Sequence, residues 1–542
     1  MNATSNSLPA IDRVRAARDL ALQRLAELQS PDGSWPGQVE SNVLPTALFI
    51  IMLRTTGLIE KPGQRELESR LLRDIARFTN SDGGFWKFPG ASSSKRLTLL
   101  AVTMMRLASG PCEVLARAEQ FLAHGKTDAS WERDLDLLVV APLMAVHAGF
   151  RRPLLLSYLP RPRWPSRHLH FFWHCGWPGL NILLGSRHAQ EYAAQIRQTQ
   201  DPSGGWAIGS YVTMFNVMAL VKAGATTDDP AVTKAHESLL RDFINERGVA
   251  AWRGHVVNTG YGLDSCLRAQ TARMRQEALA FLLGVQTSDG GFAWGTSLYD
   301  TDADATAHVL RGFPGIAESA LRRGVEFMLA RQNRDGGFGA WTQSPVAGRR
   351  GSFGVLLQFL FDMPTADVTG RVVEVLASAE HPDVQKALAF FRRTQCRNGG
   401  WWSRWWAGYL AGTSFVLRAY AALGLCDERA VAFLLHHQNA DGGWGETIRS
   451  DEDIRYAGQG DSTPLHTAHI TSTLLRLGHP PDSPVIGRAI EYLLATMSPD
   501  GRWHDDQCTF SIVARCLYYR YEFLNYVLPL DALTDYLRAN DS

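Results

Sequence analysis

A seven-residue pattern that recurs eight times most constrains how this chain can fold. Six copies read Gln, three residues, Gly, one residue and then Trp or Phe, and two copies lack the Gln. Asp or Asn before the Gly favours a tight turn with positive φ. A unit repeated in this way indicates a repeated supersecondary structure. The copies are Gln29–Trp35, Thr79–Phe85, Gln200–Trp206, Gln286–Phe292, Gln332–Phe338, Gln395–Trp401, Gln438–Trp444 and Met497–Trp503.

Helical sequence flanks the repeats. An amphipathic stretch, Val431–His437, precedes one copy, and an apolar stretch, Ala407–Leu423, follows another. Alternating strand patterns are scarce. The sequence therefore predicts an all-α protein of stacked helix pairs, closed into barrels or curved solenoids. We assign the repeat Gln and aromatic residues to stability, through amide bonds to helix ends and rings packed across the turn. A length of 542 residues predicts two or more domains.

An acidic cluster stands apart from the repeats. Asp300, Asp302 and Asp304 lie within five residues, and His308 follows at once. Asp is favoured at helix N-termini, where it accepts hydrogen bonds from free N–H groups. If the cluster is buried instead, repulsion between like charges raises at least one pKa and leaves a neutral carboxylic acid at neutral pH. The local sequence leaves both interpretations open.

Composition excludes several classes of protein. The net charge of +1 gives no reason to expect a nucleic acid partner. The seven cysteines form no Cys-x-x-Cys pair, which favours a reducing cytoplasm over a disulfide scaffold or a zinc knuckle. The first twenty residues lack a signal-peptide core, and the apolar runs Leu44–Leu53 and Leu137–Val146 are too short to span a bilayer. We expect a cytoplasmic protein that is soluble or lies on a membrane surface.

Residues 146–180 break the repeat pattern, being rich in Pro, Arg, His and Trp. Clustered prolines disfavour a regular helix. Basic and aromatic residues together suit a membrane interface or a substrate entrance. A linker packed between domains explains the stretch equally well.

In order along the chain, these landmarks resemble the squalene–hopene cyclase family, the class II, proton-initiated terpene cyclases. Asp302–Ala307 is similar to the family's Asp-x-Asp-Asp-Thr-Ala signature. The resemblance is continuous over residues 250–540 and loose before them. Further matches, in order, are Gly336–Trp341, Ala366–Ser378, Trp401–Tyr420 and His436–Ile470. It implies two α/α barrels with the active cavity between them. We expect one barrel over residues 12–245 and a catalytic barrel over 246–542, joined by residues 1–11.

The resemblance also implies roles for individual residues. Asp304 is the proton donor, Asp302 helps to keep it protonated, His437 orients its proton, and Asp300 is left as a helix cap. An alkene is so weak a base that protonating it requires an undissociated acid in a dry cavity. Aromatic residues near the cation would stabilise it, although each could equally belong to the core. The candidates are Trp294, Phe338, Trp341, Trp405, Trp406, Tyr409 and, where the family has Trp, His469.

Departures from the family pattern bear on the substrate. Ala305 replaces the third acid of the signature, and several aromatic positions hold Val257, Ala411, His469, Val513 and Leu517. We therefore expect a shorter substrate or a cascade that stops early, giving a bicyclic product. Farnesyl or geranylgeranyl diphosphate comes first, and squalene or another neutral polyprene second. A diphosphate would need Mg²⁺ and basic residues. The basic candidates are Arg349, Arg350 and Arg455.

Two other classes compete with this interpretation. Protein prenyltransferase β-subunits share Gly-Gly-Phe repeats and bind zinc through Asp, Cys and His. Asp264 and Cys266 are close in sequence, but no Cys/His partner motif accompanies them. A non-catalytic helical scaffold is the second alternative. A scaffold has no need of Asp302, Asp304 and His437 together. The sequence makes no prediction of oligomeric state.

Overall fold

A computed structural model describes most of the chain. The described residues are 10–39, 42–88, 91–126, 175–206, 209–296, 301–344, 347, 361–379, 381, 384–505, 507, 509–513 and 517–541. Helices dominate, as the repeats predict. The strands seen in these ranges are short and pair antiparallel, two by two. None of the described helices has the length and hydropathy that crossing a bilayer requires.

Among the described residues, nine helices precede residue 250. They are α1 Ile11–Glu27, α2 Leu44–Thr56, α3 Gln64–Arg73, α4 Lys95–Ala108, α5 Cys112–His124, α6 Trp177–Leu183, α7 Ala189–Gln198, α8 Ser210–Lys222 and α9 Pro230–Phe243, with 3₁₀ turns Leu58–Glu60 and Ile75–Phe78. The strand pairs are β1 Gln38–Val39 with β6 Trp252–Arg253, β2 Phe85–Trp86 with β3 Ser93–Ser94, β4 Ile244–Asn245 with β5 Gly248–Val249, and β7 Phe510–Val513 with β8 Leu517–Tyr519.

The remaining helices form the second half. They are α10 His255–Arg268, α11 Ala272–Val285, α12 Ala303–Leu310, α13 Glu318–Leu329, α14 Ala366–Ser378, α15 Val384–Thr394, α16 Leu410–Ala422, α17 Glu428–His436, α18 Pro464–Arg476, α19 Pro484–Thr496 and α20 Leu524–Asp541, with 3₁₀ turns Ile448–Asp451 and Ile454–Tyr456.

Six of these helices close an inner ring. Helices α10, α12, α14, α16, α18 and α20 each pack against the next, and α20 packs back onto α10. Helices α14 and α16 are buried over nearly their whole length, as expected for helices surrounded by protein on all sides. The outer helices α11, α13, α15, α17, α19 and α1 each cover one inner helix. This arrangement is an α/α barrel.

The repeats join each outer helix to the next. In one copy the Gln438 amide donates to the carbonyls of Gly442, at 2.8 Å, and Val485, at 2.9 Å. The Trp444 indole N–H donates to the Leu434 carbonyl at 2.7 Å. Gly442 has φ of 90°, and a Cβ there would lie 2.5 Å from a backbone oxygen of α19. These contacts confirm the structural role predicted for the repeat residues.

Helix α1 completes the second barrel. A Cβ on Gly33, in the first repeat, would lie 2.3 Å from a backbone oxygen of α11, and one on Gly501, in the last repeat, would touch Leu20 of α1. The first repeat and α1 therefore stand between α19 and α11 in the outer ring. The predicted start of the first barrel at residue 12 differs from this structure, because α1 packs on α20 and joins the five outer helices that are described after residue 246. Residues 1–9 lie outside the described ranges.

The first barrel is described in part. Its inner helices pack in the spatial order α4, α2, α8 and α6, and α3, α5, α7 and α9 cover them. The β1–β6 pair connects it to the second barrel, and the Phe88 and Tyr518 rings meet at 5.4 Å. Residues 127–174, which include most of the irregular stretch at 146–180, lie outside the described ranges.

Charged side chains from all six inner helices meet near their carboxyl ends, a feature we call the charge ring. Arg311 contacts Asp264 at 2.8 Å and Glu374 at 3.6 Å. Glu374 also contacts Arg418 at 3.0 Å and Arg476 at 2.9 Å. Contacts among α18, α20 and α10 complete the ring. Its members are Asp264, Arg268, Arg311, Glu374, Arg418, Arg476, Asp531 and Asp535.

Replacing Glu374 with Gln tests the charge ring. Three arginines share this carboxylate, and breaking a buried ion pair from one side typically costs about 3–5 kcal/mol. We expect the free energy of unfolding of the intact protein, measured with denaturant, to fall by about that amount. Glu491→Gln, which breaks an exposed pair with Arg13, should cost about 0–1 kcal/mol. Equal losses in the two variants would contradict this role.

Candidate active site

The two described acids of the cluster begin helix α12. Asp302 has extended backbone angles, and its Oδ1 accepts the backbone N–H of Ala305 at 2.5 Å, so Asp302 is the helix cap. Asp304 lies in the first helical turn, and both side chains are buried. The capping and buried-acid interpretations thus apply to different residues. Capping was expected of Asp300, which lies outside the described residues.

The two carboxylate oxygens of Asp304 have different surroundings. Oδ1 accepts the Nε–H of Arg371 at 2.5 Å and lies 3.9 Å from the Nε2 atom of His308. Oδ2 is buried and has no hydrogen-bond partner among the described residues. Arg371 also donates to Asp367 at 3.1 Å. One oxygen is therefore anchored, and the other is available to carry a proton.

Two neighbouring carboxyl groups have pKa values that are shifted in opposite directions. Burial raises the pKa of Asp304 to about 6, Asp367 adds to the rise, and Arg371 opposes it. Burial also acts on Asp367, but Arg371 and hydrogen bonds outweigh it and hold that pKa below its usual value. Paired groups whose pKa values diverge mark an acid and its counter-charge. Asp304 is therefore the candidate acid, and Asp367 is the ionised partner of Arg371.

A neutral histidine stands beside the acid. Burial, reinforced by the charges of Arg371 and Arg311, holds the pKa of His308 well below its ordinary value. Its ring lies 4.7 Å from that of Tyr261, whose hydroxyl is 3.5 Å from Nε2. His308 follows Asp304 by one helical turn, so helix geometry itself brings the two together.

His437 does not take the position expected of it. It follows helix α17, where its Nδ1 is 2.7 Å from the Phe433 carbonyl and its ring packs on Phe433 and His436. A Cβ on Gly458 would touch the His437 ring. The structure therefore places His437 against its own helix and the following loop, and it places His308 beside Asp304.

Aromatic residues link the two sides of the acid in a closed series of contacts, which we call the aromatic circuit. The guanidinium carbon of Arg371 is 4.3 Å from the first ring, and successive ring centroids lie 4.5–6.4 Å apart. All members except Trp294 are buried. In order they are Asp304, Arg371, Phe415, His469, Trp406, Phe510, Tyr521, Trp294 and His308.

The aromatic residues predicted to stabilise the cation fall into three groups in the structure. Trp294, Trp406 and His469 belong to the aromatic circuit. Trp341 and Trp405 form an edge-to-face pair at 5.4 Å, and the backbone N–H of Trp405 donates to Asp367 at 3.2 Å. Two candidates lie in turns that hold the barrel together. Phe338 bonds through its backbone N–H to Thr369, and Tyr409 bonds in the same way to Glu446.

The predicted diphosphate ligands are not assembled by the described residues. The side chain of Arg455 is 85% exposed and pairs with Asp453 at 2.5 Å, two residues away. Arg349 and Arg350 lie outside the described ranges. The contacts of Asp264 do not support the zinc alternative, because this carboxylate belongs to the charge ring and pairs with Arg268 and Arg311.

Sequence reasoning missed several site residues. Asp367 and Arg371 are spaced i,i+4 in the buried helix α14, and charges in a buried helix are a signal that could have revealed them. Tyr261 lies in α10, and nothing in the sequence around it signals a role in the site. Phe510 begins the short strand β7, and Tyr521 lies between β8 and α20, so neither belongs to a periodic pattern long enough to predict which way its side chain points.

Two family models match this chain. The squalene-hopene cyclase C-terminal domain matches residues 302–538, and the prenyltransferase alpha-alpha toroid domain matches residues 5–131 and 164–349. The chain belongs to the squalene–hopene cyclase-like family of class II terpene cyclases. Asp304 and the inner helices α12, α14, α16 and α18 fall within the first match, α20 begins within it, and α10 precedes it.

Individual relatives agree with this assignment. The terpene cyclase-glycosyl transferase fusion protein fsoA of Humicola fuscoatra is 30% identical over 64% of this chain and 31% of that protein. The squalene–hopene cyclase of Alicyclobacillus acidocaldarius is 32% identical over 67% of this chain and 54% of that protein. The chain thus spans about a third to a half of their lengths. The structure of ent-copalyl diphosphate synthase from Streptomyces platensis shares the fold, with a TM-score of 0.56, 18% identity and coverage of 97% of this chain and 99% of that one.

Titration of Asp304 tests the proposed electrostatics. In the wild type, the protonated fraction should fall as pH rises through about 6. Arg371→Gln removes the cation that opposes this rise, so we expect the pKa of Asp304 to move to higher pH. The measurement is the carboxylic acid C=O band in infrared difference spectra, assigned with Asp304→Asn. Arg371→Lys retains the charge and should shift less. An unchanged or lower pKa in Arg371→Gln would contradict this account.

Proposed function

We propose that this protein catalyses class II terpene cyclisation, in which Asp304 protonates a terminal double bond of a linear isoprenoid. One observation carries the proposal. Asp304 is a buried carboxyl group with a raised pKa, one oxygen held by Arg371 and the other without a hydrogen-bond partner among the described residues. Such a group can donate a proton in a direction fixed by the protein.

Arg371 gives the acid its orientation and stabilises its conjugate base. The Asp304 O–H bond breaks, a C–H bond forms at one alkene carbon, and the positive charge appears on the neighbouring carbon. The remaining carboxylate keeps its contact with the guanidinium at Oδ1. Because Arg371 is already in place before the proton leaves, little reorganisation accompanies the charge change.

The aromatic circuit suits the next stage of the reaction. Electron-rich ring faces attract a cation by about 0.5–2 kcal/mol each when water is absent. Phe415, Phe510 and Tyr521 add rings that the sequence did not predict. The expectation of an early-terminating, bicyclic product rests on aromatic residues that this chain lacks at family positions. These three rings replace part of that missing aromatic surface. That expectation remains a prediction, and product analysis assigns the ring number.

For the substrate, we place a neutral polyprene such as squalene ahead of a prenyl diphosphate, the reverse of the order expected from sequence. Two observations support this order. Arg455 pairs with Asp453 on the surface, and a relative with 32% identity is a squalene–hopene cyclase. The diphosphate candidate now rests on Arg349 and Arg350, with Mg²⁺ as the ion that would accompany the phosphates.

Asp304→Asn should reduce cyclisation by at least about 10²–10⁴-fold, because the amide has no transferable acid proton. Product formation is measured by gas chromatography with mass spectrometry, and folding by circular dichroism. Asp453→Asn, the same change at the exposed pair with Arg455, is the matched control. Retained turnover in folded Asp304→Asn would disprove the assignment of the acid.

The substrate order is tested by incubating the full chain with squalene, farnesyl diphosphate and geranylgeranyl diphosphate, each with and without Mg²⁺. We expect squalene to be cyclised without added metal. Cyclisation of the diphosphates alone would restore the order expected from sequence. Arg349→Gln and Arg350→Gln would then be expected to raise KM for the diphosphate, while leaving any turnover of a neutral polyprene unchanged.

A further inference from the structure

His469 is a buried imidazole whose ring nitrogens are both without a hydrogen-bond partner among the described residues. Its side chain is 3% exposed, and it lies in helix α18. Leaving a buried polar atom unpaired costs about 1–3 kcal/mol. Two such atoms on one side chain therefore call for a functional explanation.

The ring of His469 packs between aromatic rings of the kind that stabilise a carbocation. Its ring stacks on Trp406 at 5.2 Å with an interplanar angle of 29° and lies 4.5 Å from the ring of Phe415. Burial is the main cause that holds the pKa of His469 well below its ordinary value, and the nearby charges of Arg418 and Arg311 act in the same direction. The imidazole is therefore neutral and keeps a basic nitrogen lone pair.

Its place in the aromatic circuit separates His469 from the acid. Arg371 and Phe415 stand between it and Asp304 on one side, and five members of the circuit stand between them on the other. His308, in contrast, is 3.9 Å from Asp304, and a proton that it accepted would sit beside the group that had just released one.

From this arrangement we propose that His469 is the base that ends the cyclisation by removing a proton from the final carbocation; the inference rests on the proposed function. A C–H bond beside the cationic carbon breaks, its electron pair forms a C=C bond, and the proton moves to a ring nitrogen of His469. One proton is added and one removed, so the product is an isomer of the substrate. The enzyme is left with an Asp304 carboxylate and a His469 imidazolium. Proton exchange with solvent restores both.

Another histidine in the same helix provides a matched control. His466 is buried one turn earlier, and its Nδ1 is 2.9 Å from the Thr463 hydroxyl. Its ring meets Trp406 at 6.1 Å and a steep angle, so it does not stack. The same substitution at positions 466 and 469 thus compares a histidine that is hydrogen-bonded to its own helix with one that is not.

The experiment follows product identity in His469→Gln, His469→Phe and His466→Gln, with the isoprenoid that the wild type turns over, in water enriched in ¹⁸O. We expect the wild type and His466→Gln to give an alkene isomeric with the substrate. Both His469 variants should still consume substrate, since Asp304 starts the reaction. Their ratio of alkene to ¹⁸O-labelled alcohol should fall by roughly 10²-fold, because water captures the cation when no base removes its proton.

Three outcomes would overturn the inference. The first is an unchanged alkene product in both folded His469 variants. The second is an alcohol as the wild-type product. The third is loss of all substrate consumption in folded His469→Gln, which would place His469 in initiation. Failure of the proposed function is recognised separately, by a wild type that cyclises none of the three isoprenoids or by turnover that survives Asp304→Asn.

Discussion

The charge ring is the constraint on which the second barrel depends. Eight acidic and basic side chains from six helices share contacts, and a buried charge without a partner costs several kcal/mol. A shift of any one inner helix along its axis would break contacts in its neighbours as well. The ring lies near the carboxyl ends of the helices, and Asp304 lies near the amino end of α12, roughly 10 Å away along the helix. The barrel is thus held in register at one end and carries its chemistry at the other.

Arg371 contacts Asp304 at the second of these ends and has two opposing effects on it. Its charge lowers the pKa of Asp304, which weakens the case for a neutral acid, yet burial outweighs it. Asp367 satisfies the guanidinium on the other side, so the cation is shared between two carboxylates. The same guanidinium lies over Phe415, which connects the acid to the aromatic residues that would receive the cation.

The repeats and the signature allowed much to be predicted. The helix–turn–helix unit follows from positive-φ glycines and from Gln and Trp contacts that recur at fixed spacing, so the fold could be inferred locally. Asp304 could be proposed as the acid from sequence because the motif is contiguous. His437 was expected beside the acid and lies elsewhere, because a position near a repeat does not determine which neighbour the ring faces. Phe510 lies in a four-residue strand and Tyr521 in the turn before α20, so the contacts of both are set by tertiary packing that the sequence does not reveal.

The position of α1 has a consequence for how the chain is made. The catalytic barrel takes one outer helix and one repeat from the first 39 residues and all its other helices from beyond residue 250. The first barrel is therefore an insertion within the second. As synthesis proceeds from the N-terminus, the first barrel can assemble early. Helix α1 cannot pack in its native position until α20, which lies more than 490 residues later in the chain, has been made. Contacts of such long range are slow to form and leave apolar surface exposed in the meantime. The apolar face of α1 therefore lacks its native partner until residues 524–541 have been synthesised.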